Sequence, residues 1–437
     1  MLLRETQAYL DKLAGRGVSL GLDRMRAACA DLGHPERAFL PVIVAGTNGK
    51  GSVSSLLYAL ALKHGVPSGL YTSPNLVRVN ERISYCGTDI SDGGLDALVA
   101  GLRRAGEAHA LTYFEFLTLA AFEHFRRLGV LLAVLEVGMG GRLDATNTAD
   151  AIAAVITPVG LDHTAELGPD LASIAREKAA VIRPGIPVVS AAQEPAAAAV
   201  IGAACATEGA RLCVAGREFS FARRPASGLL DPEVFDYRGP GLAVAGIELS
   251  LLGPHQAANA SLALAAFAAA AGAAGVEPDE AKVRAALLAA SWPGRFEVVA
   301  GDPPVVLDGA HNPHGARALV ETLRERAPCR PVHLVFGALS DKDYAWMAAV
   351  LAPAVSDVVV VCPRSSRSAD PAVVAAEFER AGRGAVTAPD AARAVAGAAA
   401  RAKKTGGLVL VSGSLYLVGE ASAFLRHRAR AKITSHF

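Results

Sequence analysis

Gly46-Thr47-Asn48-Gly49-Lys50-Gly51-Ser52 stand between the apolar run PVIVA and a segment whose apolar residues fall at 53, 56, 57, 60 and 61. That spacing is one face of a helix. Glycines let the backbone approach a polyphosphate, and successive N–H groups with the helix N-terminus attract the anion. Lys50 neutralises its charge, and the Ser52 hydroxyl is available to Mg²⁺. The strict GxxxxGK[ST] pattern is not met: Val44 takes the place of the first glycine, and Gly51 separates Lys50 from Ser52. The alternative is an ordinary glycine-rich strand-to-helix turn; the flanking strand and helix favour phosphate.

Further polar residues close apolar runs. Glu136 ends LLAVLE, His163 follows AIAAVIT, and Asp308-Gly309-Ala310-His311-Asn312 follows a later run. In open parallel sheets ligands gather at the carboxyl ends of strands. A carboxylate closing a buried strand is costly unless paired or at work. Glu136 and His163, with Ser52, are therefore candidates to meet on one rim as Mg²⁺ or phosphate ligands. The plainer readings are a Glu136–Arg142 ion pair, a satisfied polar histidine and a self-capped Asp308 turn. Lys178, on a probable helix, reads from its own context as a solvated charge.

The elements that must carry these residues alternate short apolar runs with longer mixed segments, the βα rhythm of a parallel sheet covered by helices. Strands are expected at 41–45, 131–137, 152–157, 187–190, 305–307, 333–336, 357–361 and 408–411. Between 211 and 251 short runs broken by Gly and Pro suggest a small antiparallel insertion. A helix-rich stretch from 254 to 290 stops at Trp292-Pro293-Gly294. The expected organisation is a large domain at 1–293, a hinge at 294–298 and a smaller domain at 299–437.

With 437 residues, 52% hydrophobic, and 43 Lys+Arg against 42 Asp+Glu, the chain can bury a large core, which excludes disorder. It has no global field to gather nucleic acid or anionic lipid. The basic run Arg426, Arg428, Arg430 and Lys432 reads as a solvated helix end. Six scattered cysteines without a CxxC pair, and charges at Arg4, Glu5, Asp11 and Lys12 in place of a signal peptide, lead us to expect a cytoplasmic protein with reduced thiols. Residues 257–276 carry no charge over 20 positions. Their alanine content, with Asn259 and Ser261, favours a buried helix over a membrane span.

Ten ordered blocks then resemble one family. They are GTNGKGS (46–52), YTSPNLVRVNERI (71–83), LTYFE (111–115), LEVGMGGRLDATN (135–147), GLDHTAELG (160–168), SIAREKA (173–179), PGRFE (293–297), DGAHNPHG (308–315), FGALSDKD (336–343) and GSLYLVG (413–419). Together they are similar to the folylpolyglutamate synthase family of the Mur ligase superfamily, and within it to the bifunctional dihydrofolate synthases/folylpolyglutamate synthases. The resemblance implies an α/β fold: a large P-loop-containing, Mur-ligase-like ATPase domain followed by a smaller Rossmann-like domain.

The resemblance also implies an ATP-dependent amide ligase that joins L-glutamate to dihydropteroate and then to reduced folates through an acyl phosphate. By motif, Gly46 to Ser52 resemble the triphosphate cradle. Ser52, Ser73, Glu136 and His163 resemble the metal ligands, with Lys178 as a carbamylated lysine holding a second Mg²⁺. Lys50, Lys178 and His163 are the catalytic candidates. Asn259, Arg295, Asp308 and His311 resemble nucleotide contacts. Val18, Ser19, Leu20, Arg78 and Thr112 resemble acid-substrate contacts, with Tyr113 and Phe114 as candidates to stack on a pterin. Ser19 replaces a common Asp, and Asn75 a usual His. ATP, two Mg²⁺ and, as a further candidate ion, a monovalent cation are implied, and a monomer is expected. The rival readings are folylpolyglutamate synthase alone, another Mur-type ligase, and a P-loop ATPase without ligase activity.

Overall fold

The computed structural model describes residues 2–226 and 228–434. Its larger sheet has eight strands: β1 (Leu40–Ala45), β2 (Ser68–Tyr71), β3 (Ile83–Tyr85), β4 (Thr88–Asp89), β5 (Leu132–Glu136), β6 (Ala153–Ile156), β7 (Pro187–Ser190) and β8 (Arg211–Val214). Their spatial order is β4-β3-β2-β5-β1-β6-β7-β8. β1 pairs in parallel with β5 on one side and β6 on the other. The crossovers thus reverse direction around β1, so a crevice opens at its carboxyl end, where the glycine loop begins.

Burial follows the strand period of two. Ile43 and Ala45 of β1 join the apolar cluster on one face of the sheet, and Val42 and Val44 the cluster on the other. The helix Lys50–Lys63 is wrapped on more sides than its apolar stripe suggests, since Ser52, Ser54 and Ser55 are buried as well. It packs against Pro254–Ala271, the alanine-rich helix expected to be buried, and against Glu280–Ala289. Small side chains permit that close approach. Among the described residues no helix is long and apolar enough to cross a membrane.

The 211–251 stretch divides differently from expectation. Arg211–Val214 joins the large sheet in parallel as its edge strand β8. The antiparallel insertion is the three-stranded sheet of β9 (Ser220–Arg224), β10 (Glu233–Gly239) and β11 (Leu242–Leu249). A short strand shows the same apolar content in either setting, so local composition does not select its partner.

The smaller sheet comprises β12 (Glu297–Val299), β13 (Val305–Leu307), β14 (Val332–Phe336), β15 (Asp357–Val360), β16 (Ala385–Thr387) and β17 (Leu408–Ser412), in the order β12-β13-β17-β14-β15-β16. Only β12 runs antiparallel. Apolar clusters cover both of its faces. The last helix, Leu415–Thr434, carries the basic run; the side chains of Arg430 and Lys432 lie outside the described residues.

Candidate active site

Two adjoining cavities lie at the carboxyl ends of both sheets. The first, of about 460 Å³, is lined by the whole 46–52 loop together with Ser73, Glu136, His163, Lys178, Asn259, Arg295, Asp308 and His311. Every nucleotide and metal candidate from the sequence therefore reaches one cleft. The loop geometry explains its glycines. Gly46 (φ +140°) leaves no room for a Cβ, which would lie 1.9 Å from the Thr157 hydroxyl oxygen. At Gly49 (φ +87°) a Cβ would meet Asn259 Oδ1 at 2.5 Å. Thr47 Oγ1 donates to the Gly160 carbonyl (3.0 Å), which ties the loop to the His163 segment.

Lys50 turns back over its loop, its ammonium 3.2 Å from the Gly46 and Thr47 carbonyls. Lys178 is not a surface charge. Its ammonium is buried and donates to the Gly46 carbonyl at 2.7 Å. Burial first, and the Lys50 charge second, push its pKa down to about 7. Glu136 is buried at the end of β5, with one oxygen accepting the Ser73 N–H at 3.1 Å. Burial pushes its carboxyl up, while Lys50, the Ser73 N–H, Arg295 and Arg82 favour the anion. The alternative reading, a Glu136–Arg142 ion pair, is not met: Arg142 pairs with Glu177 at 3.0 Å. Burial lowers the His163 pKa, which favours the neutral imidazole with a lone pair to offer.

From the smaller domain, Asp308 accepts the Phe296 and Ala310 N–H groups at 2.8 and 2.9 Å. His311 lies 2.8 Å, through Nδ1, from the Gly309 carbonyl; burial pushes its pKa down to about 4. Asn312 donates to Asn48 of the glycine loop at 2.9 Å. Lys342 donates to Asp162 at 2.7 Å. Among the described residues no three His, Cys, Asp or Glu side chains are grouped to hold a metal. Ser52, Ser73 and the buried carboxylate of Glu136 nonetheless line the same cavity with oxygen donors. That suits Mg²⁺, which keeps waters and takes substrate phosphates.

The second cavity, of about 380 Å³, shares Ser73, Pro74, Gly138, Met139, His163 and His311 with the first. Val18, Ser19 and Leu20 form its exposed lip, and Thr112, Phe114 and Tyr416 line it. Thr112 is occupied as a helix cap: its hydroxyl donates to Glu115 at 2.8 Å and accepts the Glu115 N–H at 3.3 Å. Arg78 lines neither cavity. It is 56% exposed and ion-paired with Asp92. Arg82, one turn on, is in the wall instead. Tyr113 lies beneath Arg82 and is not part of the lining.

Two family models match: the Mur ligase middle domain over residues 44–267 and the Mur ligase glutamate ligase domain over 294–415. A dihydrofolate synthase/folylpolyglutamate synthase of Bacillus subtilis is 37% identical, covering 75% of this chain and 77% of its own. The chain belongs to the folylpolyglutamate synthase family of Mur ligases. A protein of Haloferax volcanii, named a probable bifunctional folylpolyglutamate synthase/dihydropteroate synthase, is 37% identical over 96% of this Mur ligase. This chain spans about half the length of that relative (50%). Two solved structures superpose over nearly the whole chain. FolC of Escherichia coli in complex with DHPP and ADP has a TM-score of 0.88 at 32% identity, covering 98% of this chain and 99% of that one. The Yersinia pestis bifunctional folylpolyglutamate synthase/dihydrofolate synthase complexed with AMPPNP and a Mn ion has 0.86 at 33%, covering 98% of each.

Two acidic residues of the cavity walls were not among the sequence candidates. Asp162 is held below the usual carboxylate range: burial pushes it up, but Lys342 and His163 outweigh that. Asp144, buried, accepts the Gly138 and Met139 N–H groups at 3.0 Å each and so shapes the wall between the cavities. Both lie inside motifs already quoted, one beside His163 and one after the glycines of 138–141. Their acidic character next to glycine loops was the available signal.

Proposed function

We propose that this chain is an ATP-dependent amide ligase that adds L-glutamate to 7,8-dihydropteroate and further γ-linked glutamates to reduced folates. The observation that carries it is the meeting of Lys50, Lys178, Glu136 and Ser52 in a nucleotide-sized cleft that opens into a second, largely apolar cavity. The family membership and the DHPP and ADP named for the E. coli structure support the same reading.

In this reading Gly46 to Ser52 hold the triphosphate, and Asn259, Arg295, Asp308 and His311 contact the nucleoside and phosphates. Ser52, Ser73, Glu136, His163 and carbamylated Lys178 hold two Mg²⁺, which supply charge neutralisation for the transferring phosphoryl group. The low pKa of Lys178 supports the carbamate. The neutral amine adds to CO₂, an N–C bond forms and one proton leaves, so the repulsion from Lys50 becomes attraction. The acid's carboxylate takes the γ-phosphoryl group, and the amine of glutamate then displaces phosphate from the acyl carbon. Residues 294–298 serve as the hinge, and closure keeps water from the acyl phosphate. Folylpolyglutamate synthase alone is the second reading, favoured by Ser19 and Asn75.

The test is phosphate release with ATP, Mg²⁺ and L-glutamate, comparing dihydropteroate, tetrahydrofolate and no pterin, with mass spectrometry of products and K⁺ varied. Turnover of both acids is expected. Tetrahydrofolate alone supports the second reading, and no pterin-dependent release by folded, ATP-binding protein overturns both.

A further inference from the structure

Arg82 is 9% exposed and lines the second cavity. Its Nε donates to Asn75 Oδ1 at 2.8 Å, and its guanidinium lies over the Tyr113 ring, 5.1 Å from the centroid. These two contacts fix the plane of the group. Among the described residues no carboxylate pairs with it, and its two terminal nitrogens make no hydrogen bond. Neither is sealed from solvent. A guanidinium whose two free parallel donors face a cavity matches a carboxylate bidentately. Of the other cations of this wall, Lys342 is paired with Asp162, and Arg367 is an exposed side chain 3.9 Å from Asp341 that lacks the fixed plane of Arg82.

A bidentate clamp ties up both oxygens of its partner. The carboxylate to be phosphorylated must keep an oxygen free to attack phosphorus, so it is a poor partner for Arg82. A neighbouring carboxylate that does not react is a good one. We infer that Arg82 binds the non-reacting α-carboxylate of a pteroylglutamate whose γ-carboxylate reacts, and so selects acids that already carry a glutamate over the pteroyl acid that carries a single carboxylate. The inference rests on the proposed ligase reading. It gives Asn75 and Tyr113 the task of positioning the guanidinium.

The experiment compares kcat/KM for dihydropteroate and for tetrahydrofolate in the unaltered protein, Arg82→Gln and Arg82→Lys, with the KM for ATP as control. It adds a tetrahydrofolate analogue whose α-carboxylate is a carboxamide. Losing one charge-assisted bidentate pair should cost Arg82→Gln on the order of 10- to 100-fold more on tetrahydrofolate than on dihydropteroate. Arg82→Lys should recover part of that loss. The carboxamide should lose a similar factor on the unaltered protein and almost none further on Arg82→Gln, a non-additivity that misfolding cannot mimic. Equal losses on both acids, or a carboxamide penalty that persists in Arg82→Gln, would overturn the assignment. So would an unaltered protein that uses dihydropteroate only, although that result leaves the ligase intact. Turnover of neither acid removes the ligase reading and the Arg82 role with it.

Discussion

Lys178 changes most between its chain neighbours and its folded surroundings. As part of SIAREKA it looks like one more helix charge, yet the fold buries its ammonium beside Lys50. With its pKa pushed down to about 7, a large fraction of it is neutral at physiological pH, whereas an exposed lysine would be almost wholly protonated. Because the neutral amine is the form that reacts with CO₂, activity at fixed dissolved CO₂ should rise as pH passes upward through about 7. A ¹³C-labelled carbamate signal should rise with it; a flat profile and no signal would remove the carbamate from the mechanism. Lys178→Ala should lower kcat by about 100-fold or more while thermal unfolding stays cooperative. The prediction fails if turnover is near normal.

At the level of elements, Thr112 shows how one side chain can be claimed by local structure. It caps the helix Tyr113–Leu128 in a reciprocal box with Glu115, the pattern that T-x-x-E announces. Thr112→Ala should cost about 1 kcal/mol in chemical denaturation, and Thr112→Ser should restore most of it. Should Thr112→Ala instead leave stability unchanged and raise only the KM for dihydropteroate, the hydroxyl is a substrate contact as motif resemblance implies. The Arg78 to Arg82 exchange belongs here too. Both arginines sit in one short motif, and only the turn Val79–Arg82 directs the first to solvent and the second into a cavity wall. The spacing of charges in sequence carries no sign of that direction.

Across the whole molecule, the two sheets are joined by more than the 294–298 segment. Glu233 of β10 is fully buried between Arg326 (2.6 Å) and Arg223 (2.8 Å), and Arg223 also pairs with Glu325. Arg326 and Glu325 end the helix Pro313–Arg326, whose other end presents Asn312 to the glycine loop. One end of that helix is therefore clamped, and its capped end faces the glycine loop. Burial pushes the Glu233 carboxyl up, but its two arginines prevail and hold it below the usual range. The clamp therefore contributes fully above the ordinary carboxylate pKa and weakens as pH falls below it. Arg326→Ala strands a buried carboxylate and should destabilise by about 3–5 kcal/mol at neutral pH, with a smaller loss at pH 4. Urea denaturation at both pH values checks this, and an equal loss at each would rule out the ionic origin.

The βα order, the eight expected strands, the glycine loop and the ten family motifs could all be read along the chain, because apolar runs, turn residues and glycine loops are patterns of near neighbours in sequence. Glu136, His163 and Asp308 were also legible, since the carboxyl end of a parallel strand is a place that chain order defines. The burial of Lys178, the pairing of Lys342 with Asp162, the clamp on Glu233 and the open hand of Arg82 were not. Each depends on which distant segment lies opposite, and the desolvation and charge that set its chemistry exist only when those segments meet.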